Sequence, residues 1–75
     1  MGANKQELVL CLKNKGYEVS LERRKIYQVI PDRAAALERM VRVIDESGDD
    51  YLYPATFFAP VKLPLALRRA VLAAV

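Results

Sequence analysis

Short apolar blocks separated by charged turns set the pattern of this chain. Leu8-Val9-Leu10-Cys11-Leu12 is a continuous apolar run closed by Lys13-Asn14-Lys15-Gly16. Val9 and the turn signal behind it favour a buried strand over the competing helix from Asn4 to Leu12. Tyr17-Glu18-Val19-Ser20-Leu21 alternates, which predicts a strand with Tyr17, Val19 and Leu21 on one side. After the polar turn Glu22-Arg23-Arg24-Lys25, the run Ile26-Tyr27-Gln28-Val29-Ile30 is rich in β-formers and stops at Pro31.

Asp32 is placed to cap Arg33-Ala34-Ala35-Ala36-Leu37-Glu38-Arg39, whose alanines favour a short helical turn over about 32–39. A helix of about two turns is marginal alone, so packing must hold it. Met40-Val41-Arg42-Val43-Ile44 and Tyr51-Leu52-Tyr53 flank the acidic cluster Asp45–Asp50 with its single glycine, Gly48, and read as a hairpin. Pro54 begins a tight turn through Phe57. Ala59-Pro60-Val61-Lys62-Leu63 is then a last strand, placed at an edge because Pro60 has no N–H to give to a neighbour. Pro64 opens a helix over about 64–74 in a segment running to Val75.

Composition narrows the classes. A chain of 75 residues has room for one domain with a thin core, and 53% hydrophobic residues suffice to pack it. The charge of +3, from 12 Lys and Arg against 9 Asp and Glu, is a mild basic bias. Cys11 is the single cysteine and there is no histidine, so neither an internal disulfide nor a Cys–His or Ser–His nucleophile pair is expected. No metal or cofactor is expected either. Asp45, Ser47 and Asp49 alternate like the start of a calcium loop, but Thr56 stands where the closing glutamate belongs. The acidic loop therefore reads as a solvated hairpin turn, and Cys11, between Leu10 and Leu12, as an inert core residue. No run reaches the ~18 apolar residues of a membrane span, and no signal peptide is visible, so the expected setting is a soluble, reducing, cytoplasmic one.

The order of these elements resembles the Src-homology-3 (SH3) small barrel. Val19-Ser20-Leu21 through Ile30 is similar to its diverging turn and second strand, and Asp45 to Asp50 to its distal loop. Leu52-Tyr53-Pro54-Ala55-Thr56-Phe57-Phe58-Ala59-Pro60-Val61 resembles its terminal strand, 3₁₀ turn and final strand. The resemblance implies a mainly β, five-stranded barrel over about 8–63, with an inserted helical turn and a C-terminal helical extension over 64–75. The chain also resembles small bacterial proteins carrying an Arg42-Val43-Ile44-Asp45-Glu46-Ser47-Gly48 signature, and that likeness implies no activity. Eukaryotic SH3 domains bind polyproline in an aromatic-lined groove. Pro54 and Phe57 match that groove's terminal turn and Tyr17 its first long loop. The groove's tryptophan has no counterpart here, so the resemblance carries the fold and not the ligand.

Two functional readings follow. The leading one is a non-enzymatic interaction module offering Tyr17, Tyr51, Tyr53, Pro54 and Phe57 to a protein partner, since exposed tyrosines are enriched at interfaces. One of Phe57 and Phe58 is expected in the core and the other near the surface. The alternative is a nucleic-acid-binding barrel in which Lys13, Lys15, Arg23, Arg24 and Lys25 converge and Tyr17 and Tyr27 stack on bases. Leu65, Leu67, Val71, Leu72 and Val75 are expected either to cover an open end of the barrel or to pair with a second copy as a weak homodimer.

Overall fold

The computed structural model describes residues 7–73. Five strands, β1 (Glu7–Cys11), β2 (Ile26–Ile30), β3 (Met40–Ile44), β4 (Asp50–Pro54) and β5 (Phe58–Val61), form one antiparallel sheet in the order β4-β3-β2-β1-β5. Helix α1 (Arg33–Leu37) is inserted between β2 and β3. A 3₁₀ turn (Ala55–Phe57) joins β4 to β5, and helix α2 (Leu65–Ala73) ends the described chain. The protein is thus mainly β, and its helices fall where the sequence places them. Val75 lies outside the described residues.

Register explains the alternation. Val9 stands opposite Tyr27, Val29 opposite Val43, and Val41 opposite Tyr53, so these side chains share one face. All of these but Val41, with Cys11 and Leu21, form the core, against which Val41, Phe57 and Phe58 pack half-buried. Leu8 opposite Gln28, Leu10 opposite Ile26, and both opposite Val61 and Ala59 define the second face. That face is also apolar, which is why β1 reads as an unbroken hydrophobic run. Pro60 sits in β5 at the sheet edge, opposite Val9, where its missing N–H interrupts no further ladder.

The predicted strand Tyr17–Leu21 is not a strand. Tyr17 donates its N–H to Asn14, and its carbonyl accepts from both Ser20 and Leu21, at 3.0 and 2.9 Å, so the segment curls into successive turns. Side-chain direction follows the curl: Leu21 is fully buried while Val19 is 96% exposed. Alternation alone could not register this, because the segment has no partner strand. Its task is to turn Leu21 inward over the sheet.

Helix α1 is capped at its start and tied there to the sheet. The Asp32 carboxylate accepts from Ala35 N–H at 3.0 Å, and its other oxygen takes Arg42 Nε at 2.8 Å. Arg42 Nη1 reaches Asp50 at 3.0 Å, so one guanidinium on β3 ties the α1 cap to β4. The helix stops where Arg39 turns left-handed, with φ 59°.

Candidate functional site

Three loops meet at the Cys11 end of β1. The Phe57 carbonyl accepts from the N–H groups of Leu12 and Lys13, at 2.7 and 3.2 Å. Cys11 donates to the Lys25 carbonyl and accepts from Arg24 N–H, while Asn14 Nδ2 donates to the Leu21 carbonyl at 3.0 Å. The segments 13–16 and 22–25 thus both start from the Cys11 end of β1, and the 3₁₀ turn closes on the same place.

The aromatic residues expected at a docking lip separate into two groups. Tyr17 packs edge-on against Tyr53, with centroids 5.0 Å apart, and against Phe57 at 5.8 Å. Tyr17 is 39% exposed and Phe57 is half-buried, so these two rings form a lip beside Tyr53, while Pro54, also half-buried, stands opposite Met40 on the other face of β4 from Tyr53. Tyr53 itself belongs to the core, 3% exposed. Tyr51 shares the same sheet face, as alternation requires, but is 52% exposed and makes no ring pair among the described residues. The difference arises because the curled 17–21 segment covers Tyr53 and stops short of Tyr51. Phe57 and Phe58 divide less sharply than expected, both being half-buried.

The acidic turn is not simply solvated. Asp45 is buried and accepts from the N–H and hydroxyl of Ser47 and, at 2.6 Å, from the Tyr53 hydroxyl, which also contacts Ser20 Oγ at 2.9 Å. Glu46 accepts from the Tyr27 hydroxyl and from Lys25 Nζ at 2.7 Å, and Tyr27 in turn receives the Glu22 N–H at 2.8 Å. Burial pushes the Asp45 carboxyl up, but the bonds from Ser47 and Tyr53 outweigh it and hold it below the usual carboxylate range. Lys25 first, then Tyr27, pull Glu46 down likewise. Burial, reinforced by these carboxylates, raises both tyrosine hydroxyls above their ordinary value. Sequence reading missed this arrangement. The only available signal was two adjacent acids beside two β-strand tyrosines.

These bonds also alter the nucleic-acid platform. Tyr27 is 4% exposed, so it offers no face to a base and Tyr17 stands alone as the exposed ring of that pair. Lys25 is tied to Glu46 and lies over the Tyr27 ring at 5.6 Å. Lys13, Lys15, Arg23 and Arg24 are exposed and make no ion pair among the described residues.

On the second face, the far end of α2 and the sheet bound a half-open groove of about 750 Å³, where Val71 and Leu72 face Ile26, Gln28 and Ile44. Leu65 and Leu67, expected in the same cover, are 63% and 55% exposed and take no part in it. No group of three or more Cys, Asp or Glu among the described residues could hold a metal ion, and no described helix is long and apolar enough to cross a membrane. Compared with family models, curated proteins and solved structures, the chain matches none.

Proposed function

We propose that the chain is a small SH3-like, non-enzymatic interaction module that docks an extended protein segment on the lip formed by Tyr17 and Phe57. The observation that carries this reading is the exposed Tyr17 ring held edge-on by Phe57 and the buried Tyr53. A ring fixed in this way loses little conformational freedom on binding, which is what makes aromatic anchors effective at interfaces. The SH3-like assignment draws support from the 3₁₀ turn between the last two strands and from the antiparallel pairing of β1 with β5. The non-enzymatic assignment draws support from the carboxylates. Asp45 and Glu46 are spent on tyrosine hydroxyls and shifted downward, the wrong direction for a general acid near neutral pH.

The test is an amide chemical-shift titration of the labelled protein with extended proline- and tyrosine-bearing peptides. Shifts concentrated at residues 13–17 and 54–58 are expected. Binding that leaves those amides still, or no binding at all, would overturn the proposal.

A further inference from the structure

Resting on that docking reading, we infer that the segment it takes is acidic. The motivating observation is where the charge sits. Between Lys13 and Lys25 the chain holds five cations and two carboxylates, a net +3 equal to that of the whole protein. Lys25 is committed to Glu46, and the Glu18 carboxylate folds back onto the Gly16 N–H at 3.2 Å. What remains uncommitted in this segment among the described residues is Lys13, Lys15, Arg23 and Arg24 against the single carboxylate of Glu22, all exposed.

Two of these stand at the lip itself. Lys13 hydrogen-bonds the Phe57 carbonyl through its backbone, and Lys15 lies in the turn that Tyr17 closes onto Asn14. A segment crossing Tyr17 and Phe57 therefore runs past the exposed turn that carries both lysines, with Glu18 the one carboxylate adjoining Tyr17. Extended backbone advances about 3.3 Å per residue, and charges are felt over roughly 8 Å at physiological salt. Asp or Glu within two or three positions of the docked residue thus falls inside the field of the lysines, while Lys or Arg there is repelled. Single-stranded nucleic acid shares the negative charge, but it favours successive exposed rings along the cationic track. Of Tyr17 and Tyr27 only Tyr17 is available.

The experiment compares three labelled peptides with one proline- and tyrosine-bearing core and acidic, neutral or basic flanks, alongside oligo-dT, by fluorescence anisotropy and amide shifts. The acidic peptide is expected to bind about tenfold tighter than the neutral one at low salt, the sum of a few exposed charge pairs. That advantage should vanish near 1 M salt, where screening shortens to about 3 Å. The variant K13E/K15E should lose it, while K62E, past the opposite end of the β1–β5 ladder, should keep it. Both lysine side chains are exposed, and an unchanged amide spectrum away from the turn verifies the fold; K13Q/K15Q supplies the same test with a milder change. Equal or tighter binding of the neutral or basic peptide at the lip would overturn the charge inference and leave the docking function standing. Failure of every peptide, or tighter binding of oligo-dT than of any peptide, would overturn both.

Discussion

The Tyr53 hydroxyl lies 2.6 Å from Asp45 Oδ2, joining the buried end of β4 to the turn that begins the strand's own hairpin. Its counterpart is the Tyr27–Glu46 bond, which joins β2 to the next residue of that turn. Two adjacent acids thus hold the hydroxyls of two core tyrosines from different strands. The rings pack in the core while their polar ends are satisfied at its rim, so no buried side-chain nitrogen or oxygen among the described residues lacks a partner.

Removing the Tyr53 oxygen should be costly despite its small size. Tyr53→Phe preserves the ring packing but takes one charge-assisted bond from the buried Asp45 carboxylate and strands part of its desolvation cost. A loss of about 1–3 kcal/mol is expected. Tyr51→Phe, on the same strand and half-exposed, should change stability by less than about 0.5 kcal/mol. Urea unfolding of the two variants checks the contrast, and equal midpoints would show the Asp45 bond to be energetically idle.

The same carboxylates make stability depend on pH in a defined direction. Asp45 and Glu46 both have folded-state pKa values below their unfolded ones, so the unfolded chain binds more protons in the acid range. Their stabilisation is complete above the ordinary carboxylate range, near pH 4, and drains away as pH falls through the depressed folded values. Urea midpoints should be flat from about pH 5 to 7 and decline below about pH 4. Glu46→Gln should lower the neutral plateau and reduce the acid slope. An unchanged slope would place the acid sensitivity elsewhere.

Backbone conformation offers a pair of substitutions with opposite signs. Gly48 has φ 89° in the hairpin turn, and an added Cβ would meet nothing within 4 Å. Gly48→Ala should therefore cost about 1 kcal/mol through the left-handed conformation alone. Arg39 adopts φ 59° just past α1, where glycine is the preferred residue, and its side chain is exposed. Arg39→Gly should raise stability by about 0.5 kcal/mol, the relief of strain being partly offset by a more flexible unfolded chain. Thermal unfolding of both variants reads the two signs.

Much of the fold was legible because period and punctuation agreed. The Lys13–Gly16 turn, Pro31, the acidic cluster and Pro54 bracket four of the five strands, and Asp32 marks the helix start it caps. The failure at Tyr17–Leu21 is instructive: alternation implies a strand only where a neighbouring strand accepts its hydrogen bonds, and here the neighbours are its own turns. The site was legible in its parts and not in its grouping. Tyr17 and Phe57 meet, while Tyr51 and Tyr53, two positions apart on one face, end in different surroundings. What separates them is the path of a remote loop, which no local pattern encodes.

Cys11 should behave as a core residue in chemistry as well as in packing. It is fully buried, and burial raises its thiol pKa despite the opposing influence of the Lys13 backbone and the nearby Arg23 charge. A thiol both inaccessible and poorly ionised reacts slowly. Labelling by a disulfide reagent at neutral pH should be negligible in the native protein and complete in denaturant. Its rate should rise with urea in step with unfolding, and rapid native labelling would mean that the β1–β5 edge opens locally.

The C-terminal helix tests how a second apolar face is covered. None of its residues is buried, yet Val71 and Leu72 stand half-buried across the groove from Ile26 and Ile44, while Leu67 is mostly exposed. If cover of that face stabilises the sheet, the cost of a charge must follow position and not hydrophobicity. Leu72→Asp should lower stability by about 1–2 kcal/mol, in proportion to half a leucine's burial together with a charge brought against apolar surface. Leu67→Asp, the same exchange on the same helix, should change it by less than about 0.5 kcal/mol. Denaturant unfolding of both variants at fixed protein concentration measures the difference. Equal small effects would mean that α2 contributes nothing to the cover, and the stability of β1 would then rest on the core face alone.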